Sequence, residues 1–254
     1  MMEKWRFLMT GAHTAVENMA IDKAILVAHS KGLVPPTVRF YSWMPSAISI
    51  GYFQSLTEEI DLNACTTHGV DYVRRITGGG AVFHENELTY SIVVSEDHPS
   101  ISKHILESYG TICQAIIDGL GFLHIDGQYA PINDILVDGK KISGNAQTRK
   151  MKTVLQHGTI LLDVDVDKMF SILKVPNEKI KDKLITNVKD RVTSLRHITG
   201  NDVSFDTVAD AMRRGFEKTF QASLEPGDLI EEEHILSDEF AVDSFGSESW
   251  NHMR

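Results

Sequence analysis

Residues 74–84 of the chain read Arg74-Arg75-Ile76-Thr77-Gly78-Gly79-Gly80-Ala81-Val82-Phe83-His84. Val70 to Ile76 predicts a strand that runs into the three glycines, and extended structure resumes at Ala81. Glycines here let successive backbone N–H groups approach an anion closely, and the two arginines add charged donors. The segment therefore predicts an anion site with phosphate as the expected guest. The alternative is a flexible turn with two solvated arginines.

The glycine segment does not match the known nucleotide-binding loops. No Lys-Ser/Thr follows the glycines and no helix opens after Gly80, which excludes a P-loop and a dinucleotide fingerprint. His84-Glu85 superficially suggests a zinc protease, but Leu88 stands where the second histidine is required. A metal-hydrolase interpretation is therefore excluded.

A second candidate segment is residues 133–147, which begins with Asn133-Asp134 and contains Ser143-Gly144-Asn145. Asp138-Gly139 predicts a hairpin turn that places Lys141 on the returning strand, where a lysine can hold a phosphoryl or carboxylate oxygen. The alternative is an edge strand protected by lysines. Seven basic residues fall in or near these two segments: Arg74, Arg75, Lys140, Lys141, Arg149, Lys150 and Lys152. If the segments meet, they form an anion site.

The third candidate is His157, which lies within Gln156-His157-Gly158-Thr159. A histidine inside an apolar strand is more often a structural group than a catalyst, so both interpretations stay open.

Composition narrows the class of protein. The chain has 254 residues, 42% of them hydrophobic, and a formal net charge of −10, which argues against non-specific nucleic-acid binding. Two cysteines 48 residues apart exclude a CxxC site and a disulfide framework. The N-terminal residues lack the order of a secretory signal, and the longest apolar run is far short of a membrane span. We expect a cytoplasmic protein with no membrane partner.

Helical and strand patterns mix along the chain and predict an α/β (α+β) fold, with one large mixed sheet flanked by helices. A capping box at Thr14 opens a helix to about Lys31, and a long amphipathic helix from Ser100 to Leu120 carries Cys113 on its buried stripe. The strands at 38–43 and 47–53 are expected to pair. The other expected elements are a helix at 57–68, extended segments at 81–84 and 88–95, a strand at 153–162, and amphipathic stretches at 165–174, 205–220 and 228–240. We expect residues 1–254 to form a single domain, with the sheet complete by residue 163 and residues 164–254 as mostly helical cover.

Together these segments resemble the lipoate-protein ligase A family of the biotin/lipoate A/B protein ligase superfamily, as a catalytic domain without the C-terminal accessory domain. Residues 74–84 resemble its adenylate-binding loop, 133–146 its lysine motif, and 157–162 the strand that follows. Further stretches that match are residues 18–22, 50–54, 190–192 and 248–251. The fold implied is that of the biotin/lipoate-protein ligases.

The resemblance also implies a reaction. ATP would activate lipoate or octanoate to an acyl adenylate, and the acyl group would pass to a lysine of a lipoyl-domain or H-type acceptor protein. The implied cofactors are ATP and Mg²⁺, with lipoate as substrate. A separate accessory-domain chain is a further expected partner.

The implied site residues follow from the matched motifs. Lys141 would be the catalytic residue, between the acyl carbonyl and the α-phosphate, and Asp134 would hold the metal ion. The acyl chain would contact His84, Gly144 and His157. The residues implied for binding ATP and the acyl adenylate are Arg75, Gly78, Gly79, Gly80, Ala81, Val82, Phe83, Asn133, Asp134 and Lys141.

The same scaffold supports transfer through a cysteine thioester, which needs a cysteine near Lys141. Residues 126–132 hold no cysteine, and none follows Cys113. Cys65 in a short helix and Cys113 on a buried stripe are typical of structural cysteines. The sequence therefore favours the ATP-dependent ligase. The alternatives are a cysteine-dependent octanoyl or lipoyl transferase using acyl carrier protein or H-type protein, and an acyl-adenylate-binding partner without full activity alone.

Overall fold

The structure is a computed structural model that describes residues 2–174 and 181–254. The strands are β1 Glu3–His13, β2 Thr37–Trp43, β3 Ala47–Ile50, β4 Asp71–Arg74, β5 Val82–His84, β6 Glu87–Ser95, β7 Gln128–Ala130, β8 Asp134–Val137, β9 Lys140–Lys150, β10 Thr153–Leu161 and β11 Ala222–Pro226. The helices are α1 Ala15–Ser30, α2 Leu56–Glu59, α3 Leu62–His68, α4 Ile105–Phe122, α5 Val166–Ile172, α6 Lys181–Arg191, α7 Leu195–Thr199, α8 Phe205–Phe220, α9 Glu231–Phe240 and α10 Glu248–Asn251.

Two sheets organise the fold. The large sheet has the strand order β11-β1-β2-β6-β10-β9-β8-β7 and mixes parallel and antiparallel pairs. The small sheet has the order β4-β3-β5. Each helix in the described parts of the chain lacks the length or the apolar character needed to cross a membrane.

Strand β6 shows how the large sheet is buried on both faces. Its even-numbered residues, from Leu88 to Val94, belong to the hydrophobic cluster formed with α4 and α8. The odd-numbered residues point to the opposite face, because side chains alternate along a strand. There Val93 joins the cluster formed with α1, whereas Glu87, Thr89 and Ser91 are polar and nearly fully buried. This second face therefore carries buried polar groups beneath α1.

Local sequence explains how α1 is placed. The Thr14 hydroxyl accepts from the backbone N–H of Glu17, and the Glu17 carboxylate accepts from the N–H of Thr14, which is the predicted capping box. The helix ends at Ser30, and Gly32 follows with φ at +72°.

Several predictions of elements are confirmed. Helix α4 carries Cys113 fully buried, α8 occupies the predicted range 205–220, and β8 and β9 form the predicted hairpin. The mixed α/β architecture with one large sheet flanked by helices is also confirmed.

Other predictions about the sheets are wrong. Strands β2 and β3 do not pair, because β2 lies between β1 and β6 whereas β3 is the centre of the small sheet. The large sheet is not complete by residue 163, since β11 forms its edge beside β1. Both errors have one physical cause: strand partners far apart in the chain are selected by tertiary packing, which local periodicity does not report.

Helices α4 and α8 cross at two glycines, which allows their backbones to touch. A Cβ atom on Gly215 would lie 2.2 Å from the carbonyl oxygen of Ala115 and 2.5 Å from the backbone nitrogen of Gly119. Gly121, also on α4, has no heavy atom within 4 Å of such a Cβ.

We expect Gly215→Ala to lower the free energy of unfolding by about 3 kcal/mol, because the new methyl group meets backbone that cannot move aside. Gly121→Ala is the matched control and should raise stability by up to about 1 kcal/mol through helix propensity. Urea denaturation followed by circular dichroism measures both changes. Equal stabilities for the two variants would contradict the close helix crossing.

Candidate active site

The three glycines form a loop between β4 and β5 that passes directly over Gly51. A Cβ atom on Gly51 would lie 2.0 Å from the carbonyl oxygen of Gly79, so a larger residue does not fit. Gly79 itself has φ at +98°, which favours glycine. Gly79, Gly80 and Ala81 line a cavity, and their backbone N–H groups donate to no group within residues 2–174 or 181–254. They are therefore available to an anion or to a carbonyl oxygen.

Arg75 holds this loop in place. Its buried guanidinium donates to the carbonyl oxygens of Ser49 at 2.6 Å, Gly78 at 3.1 Å and Gly80 at 3.0 Å. It also donates to the hydroxyls of Ser49 at 2.7 Å and Thr77 at 3.3 Å. These five contacts engage all five N–H groups of the guanidinium. Burial lowers the pKa of Arg75 to about 10, so the group stays charged at neutral pH but has no N–H left for a phosphate oxygen.

Arg74 turns away from the cavity. Its guanidinium donates to the carbonyl oxygens of Trp250 at 3.1 Å and Asn251 at 2.7 Å, and its backbone N–H donates to the Asn251 side chain at 2.8 Å. The stretch 248–251 thus closes against β4. The two arginines that the sequence places in one anion site therefore have separate tasks.

A β-bulge in the β8–β9 hairpin sets the direction of Lys141. The register shifts between Ile135 and Leu136, so that Lys141 pairs with Leu136 rather than with Val137. Paired residues of an antiparallel ladder share a face, and faces alternate along each strand. The extra residue therefore brings Lys141 to the face of Asp134, where its Nζ lies 2.7 Å from Asp134 Oδ1.

The neighbours of Lys141 leave room for its side chain and hold its backbone. A Cβ atom on Gly144 would lie 2.8 Å from both Cε and Nζ of Lys141. The carbonyl oxygen of Lys141 accepts from the backbone N–H of Thr193 at 2.8 Å, and Val192 pairs beside it. The matched stretch 190–192 therefore supports the lysine strand.

The glycine loop and the hairpin meet around one cavity of about 140 Å³. The candidate residues that line it are Arg75, Gly79, Gly80, Ala81, Val82, His84, Asn133, Lys141, Gly144 and His157. Three other candidates lie beside it. Gly78 accepts from Arg75, Phe83 belongs to the hydrophobic cluster of the small sheet, and Asp134 contacts Lys141. The two segments are therefore face to face, while the roles assigned to single residues stay predictions.

Asp22 lies behind the cavity, in contact with the lining residues Tyr41 and His157, and the sequence alone assigned it no role. It is 2% exposed and accepts from Arg39 at 2.8 Å, Tyr41 at 3.0 Å, Ser91 at 2.8 Å and His157 at 3.3 Å. Burial by itself would raise the pKa of Asp22, but the hydrogen bond from His157 and the charge of Arg39 outweigh it and hold that pKa below its usual value. The carboxylate is therefore ionised at neutral pH.

His157 links Asp22 to the glycine segment. Its Nδ1 lies against Asp22, and its Nε2 lies 2.8 Å from the hydroxyl of Thr77. Burial lowers the pKa of His157 despite the nearby carboxylate, so the ring is neutral at pH 7. An ionised Asp22 assigns the proton to Nδ1, which leaves Nε2 to accept from Thr77. Both nitrogens are thus engaged inside the protein.

His84, Ser49 and Trp43 form a second group of buried side chains that line the cavity. His84 Nε2 lies 2.5 Å from the hydroxyl of Ser49, and His84 Nδ1 lies 2.6 Å from Glu87 Oε1. The Trp43 ring stacks on His84 with ring centroids 4.0 Å apart. The sequence contains one signal for the buried polar groups of β6, because Glu87, Thr89 and Ser91 occupy alternate positions of that strand. That pattern is typical of a solvent-facing strand, so their burial could not be read from it.

Both cysteines lie outside the cavity lining. Cys65 on α3 packs in the hydrophobic cluster of the small sheet, and Cys113 on α4 packs in the cluster on the opposite face of the large sheet. Burial raises the pKa of Cys65 to about 11 and that of Cys113 to about 12. Neither thiol lies at the cavity that Lys141 lines, and both are protonated at neutral pH.

The predicted magnesium ligand, Asp134, faces an ammonium group rather than other oxygen ligands. Magnesium prefers an octahedral set of oxygens. Among residues 2–174 and 181–254, no three His, Cys, Asp or Glu side chains are grouped to hold a metal ion. The residues around Asp134 therefore do not fit a magnesium ion.

Residues 14–217 match the family described as the lipoyl protein ligase A/B catalytic domain. The chain belongs to this family, which confirms the resemblance drawn from the three motifs.

Relatives align over almost the whole chain. The octanoyltransferase LipM of Geobacillus kaustophilus is 40% identical, and that of Bacillus subtilis is 35% identical, each covering 99% of both chains.

Solved structures confirm the predicted fold. A bi-partite lipoate protein ligase from Thermoplasma acidophilum, described with its E2 lipoyl domain, superposes with a TM-score of 0.89 at 31% identity, covering 98% of this chain and 96% of that one. A lipoate-protein ligase A bound with ATP superposes with a TM-score of 0.84 at 30% identity, covering 99% of both.

The prediction of an ATP-dependent ligase is wrong. The relatives that align end to end are named octanoyltransferases, and they do not support ATP or Mg²⁺ as cofactors. The absence of a cysteine from residues 126–132 argues against one thioester route, but it does not require activation by ATP. Arg75, the predicted nucleotide contact, also has every N–H engaged within the protein.

We expect both thiols of the native protein to react with iodoacetamide at pH 7.5 at least about 100-fold more slowly than a free thiol, because so little thiolate is present. Mass spectrometry measures the labelling. The same reagent in urea is the control and should label Cys65 and Cys113 at an ordinary rate. Rapid labelling of either residue in the native protein would contradict this account.

Proposed function

We propose that this chain is an acyltransferase that moves an octanoyl group from an activated donor to the ε-amine of a lysine on a lipoyl-domain acceptor protein. The observation that supports this most is the position of Lys141. Its ammonium group lies at a cavity where the polar side chains of Arg75, His84, Asn145 and His157 are already hydrogen-bonded to the protein. The end-to-end similarity to octanoyltransferases supports the choice of acyl group.

The cavity has the extent of a medium acyl chain. Its lining runs from Lys141 on β9 across His157 on β10 and Thr89 on β6 to Trp43 on β2. Neighbouring strands lie about 4.8 Å apart, so this path covers roughly 14 Å. We infer that the acyl carbonyl lies at Lys141 and that the hydrocarbon tail points towards Trp43.

The polar lining is compatible with an apolar guest. The Asn145 side chain accepts from Tyr90 at 2.6 Å and donates to the backbone oxygen of Asn133 at 2.8 Å. His157 and His84 have both ring nitrogens engaged. An acyl tail therefore leaves these hydrogen bonds intact, whereas displacing them would carry a desolvation cost.

Transfer to an amine develops negative charge on the acyl oxygen. As the acceptor nitrogen bonds to the carbonyl carbon, the oxygen becomes an alkoxide that the Lys141 ammonium can stabilise. The unpaired N–H groups of Gly79, Gly80 and Ala81 line the same cavity and can share this task. A preorganised donor of this kind contributes about 3 kcal/mol to the transition state.

The donor we propose is an acyl thioester such as that carried by acyl carrier protein. Its leaving thiolate is expelled when the tetrahedral carbon collapses to the amide. Because Cys65 and Cys113 lie outside the cavity lining, this geometry does not support a covalent intermediate on cysteine, and the acceptor amine attacks the donor directly.

A preformed acyl adenylate is a second candidate donor. It is favoured by the lack of a cysteine at the cavity and by the fold shared with the bi-partite lipoate protein ligase. In that case a separate partner chain would supply the activated acyl group.

The two buried free thiols suit a reducing compartment, so we place either reaction in the cytoplasm.

The decisive assay mixes the chain with octanoyl acyl carrier protein and an apo lipoyl domain, without ATP, and weighs the acceptor. We expect the mass to increase by one octanoyl group. Lys141→Ala should slow transfer about 10²-fold or more, because it removes the donor at the acyl oxygen. Lys140→Ala, one residue away on the same strand, is the matched control and should retain activity. Octanoyl transfer seen only with free octanoate plus ATP would overturn the proposal.

A second test leaves Lys141 in place and moves its ammonium group. We expect Gly144→Ala to fold normally, because the atoms that its new methyl group meets are the flexible end of Lys141. The displaced ammonium should lower kcat at least about tenfold, since misplacing a catalytic group by about 1 Å is costly. Kinetics and thermal melts are measured together. Full activity at unchanged stability would contradict the placement of Lys141.

A further inference from the structure

We propose that Asp134 is the site that receives the ε-ammonium group of the acceptor lysine and takes its proton. The inference rests on the proposed function and adds the group that turns the acceptor into a nucleophile. In the protein alone, Asp134 pairs with Lys141. When the acceptor arrives, Asp134 exchanges that partner for the incoming ammonium, and the Lys141 ammonium moves to the acyl oxygen.

The first support is the loose attachment of the Asp134 carboxylate. Its Oδ1 is buried and, despite lying 2.7 Å from Lys141 Nζ, has no properly aligned hydrogen bond to any group in the described parts of the chain. The buried carboxylate of Asp22 is held more firmly, since it accepts hydrogen bonds from four side-chain donors. An oxygen without fixed donors can change partner at low cost.

The second support is access. The side chains of Lys141 and Asp134 are 39% and 35% exposed, whereas those of Asp22 and His157 are 3% and 7% exposed. The Lys141–Asp134 pair is therefore open to solvent beside the cavity that Lys141 lines, where a lysine from another protein can reach it.

The third support is charge. Arg75 and Lys141 both line the cavity, and none of its described lining residues is an aspartate or a glutamate. An approaching ammonium group would therefore meet positive charge unless a carboxylate stands at the entrance. Asp134 is the carboxylate in contact with Lys141, and the β-bulge is what places the two on one face.

The proton balance is complete without another co-reactant. The acceptor ammonium gives one proton to Asp134, and the free amine forms the C–N bond. The C–S bond of the thioester breaks, and the leaving thiolate takes the second proton from the nitrogen. Asp134 then releases its proton to solvent at the exposed entrance, so the products are the amide, the thiol and one proton.

The test compares two acyl acceptors with octanoyl acyl carrier protein as donor. One acceptor is the apo lipoyl domain, whose lysine arrives as an ammonium ion. The other is hydroxylamine, which is uncharged at neutral pH and needs no base. Rates without enzyme are subtracted in both cases. Asp134→Asn is the test variant, Asp134→Glu the conservative variant, and Asp138→Asn at the exposed hairpin tip the matched control.

We expect Asp134→Asn to lower kcat for the lipoyl domain about 10²-fold while the rate with hydroxylamine stays near that of the unchanged protein. Asp134→Glu should recover part of the lost activity, and Asp138→Asn should change neither rate. Activity with hydroxylamine also reports that the variant is folded.

Equal loss with both acceptors would overturn the inference, because Asp134 would then act solely by orienting Lys141. Unchanged rates with both acceptors would overturn it as well. If the unchanged protein transferred octanoyl to neither acceptor, the proposed function would fail and this inference with it, so the two failures are distinguishable.

Discussion

The hydrogen bonds to the ionised carboxylate of Asp22 are the interactions on which the cavity face of the large sheet depends. This carboxylate projects from α1 and accepts hydrogen bonds from Arg39 and Tyr41 on β2, Ser91 on β6 and His157 on β10. One negative charge therefore fixes the helix against three strands. Removing one partner of a buried ion pair of this kind costs about 3–5 kcal/mol, because it leaves an uncompensated charge.

The same network reaches the glycine loop. His157 contacts the hydroxyl of Thr77, Thr77 accepts from Arg75, and Arg75 holds the carbonyl oxygens of Gly78 and Gly80. The loop that lines the cavity is thus held in place by a chain of contacts that begins at α1. Preorganisation of this kind matters for catalysis, because fixed dipoles need no rearrangement when charge develops.

The basic residues of the two motifs differ in how firmly the protein holds them. Arg74 holds the C-terminal segment and Arg75 holds the glycine loop, with their guanidinium groups bonded to the protein. Lys141 is half exposed and paired to one loosely held carboxylate. The planar guanidinium suits several fixed carbonyl oxygens at once, whereas a flexible ammonium suits a ligand that comes and goes. The sequence predicted one ligand for Arg75 and Lys141 because it shows that both side chains are charged. It does not show that the N–H groups of Arg75 are already bonded within the protein.

Local sequence patterns predicted the elements that are stabilised by interactions between residues close together in the chain. The capping box at Thr14, the Asp138-Gly139 turn and the stripe of α4 depend on neighbours a few residues away. The first two appear where expected, whereas α4 begins at Ile105, five residues after the predicted Ser100. Strand partners depend on distant chain segments, which is why the pairing of β2 and the late strand β11 were missed.

The amino-acid sequence by itself determined the family, its three motifs and the absence of a cysteine from residues 126–132, because these are properties of residue order. The tertiary structure decided which charges are free. A β-bulge turned Lys141 towards Asp134, buried contacts consumed every donor of Arg75, and α1 covered the polar residues of β6. These outcomes depend on contacts between residues that are far apart in the chain. The order of residues specifies which groups are present, but tertiary packing decides which of them come into contact.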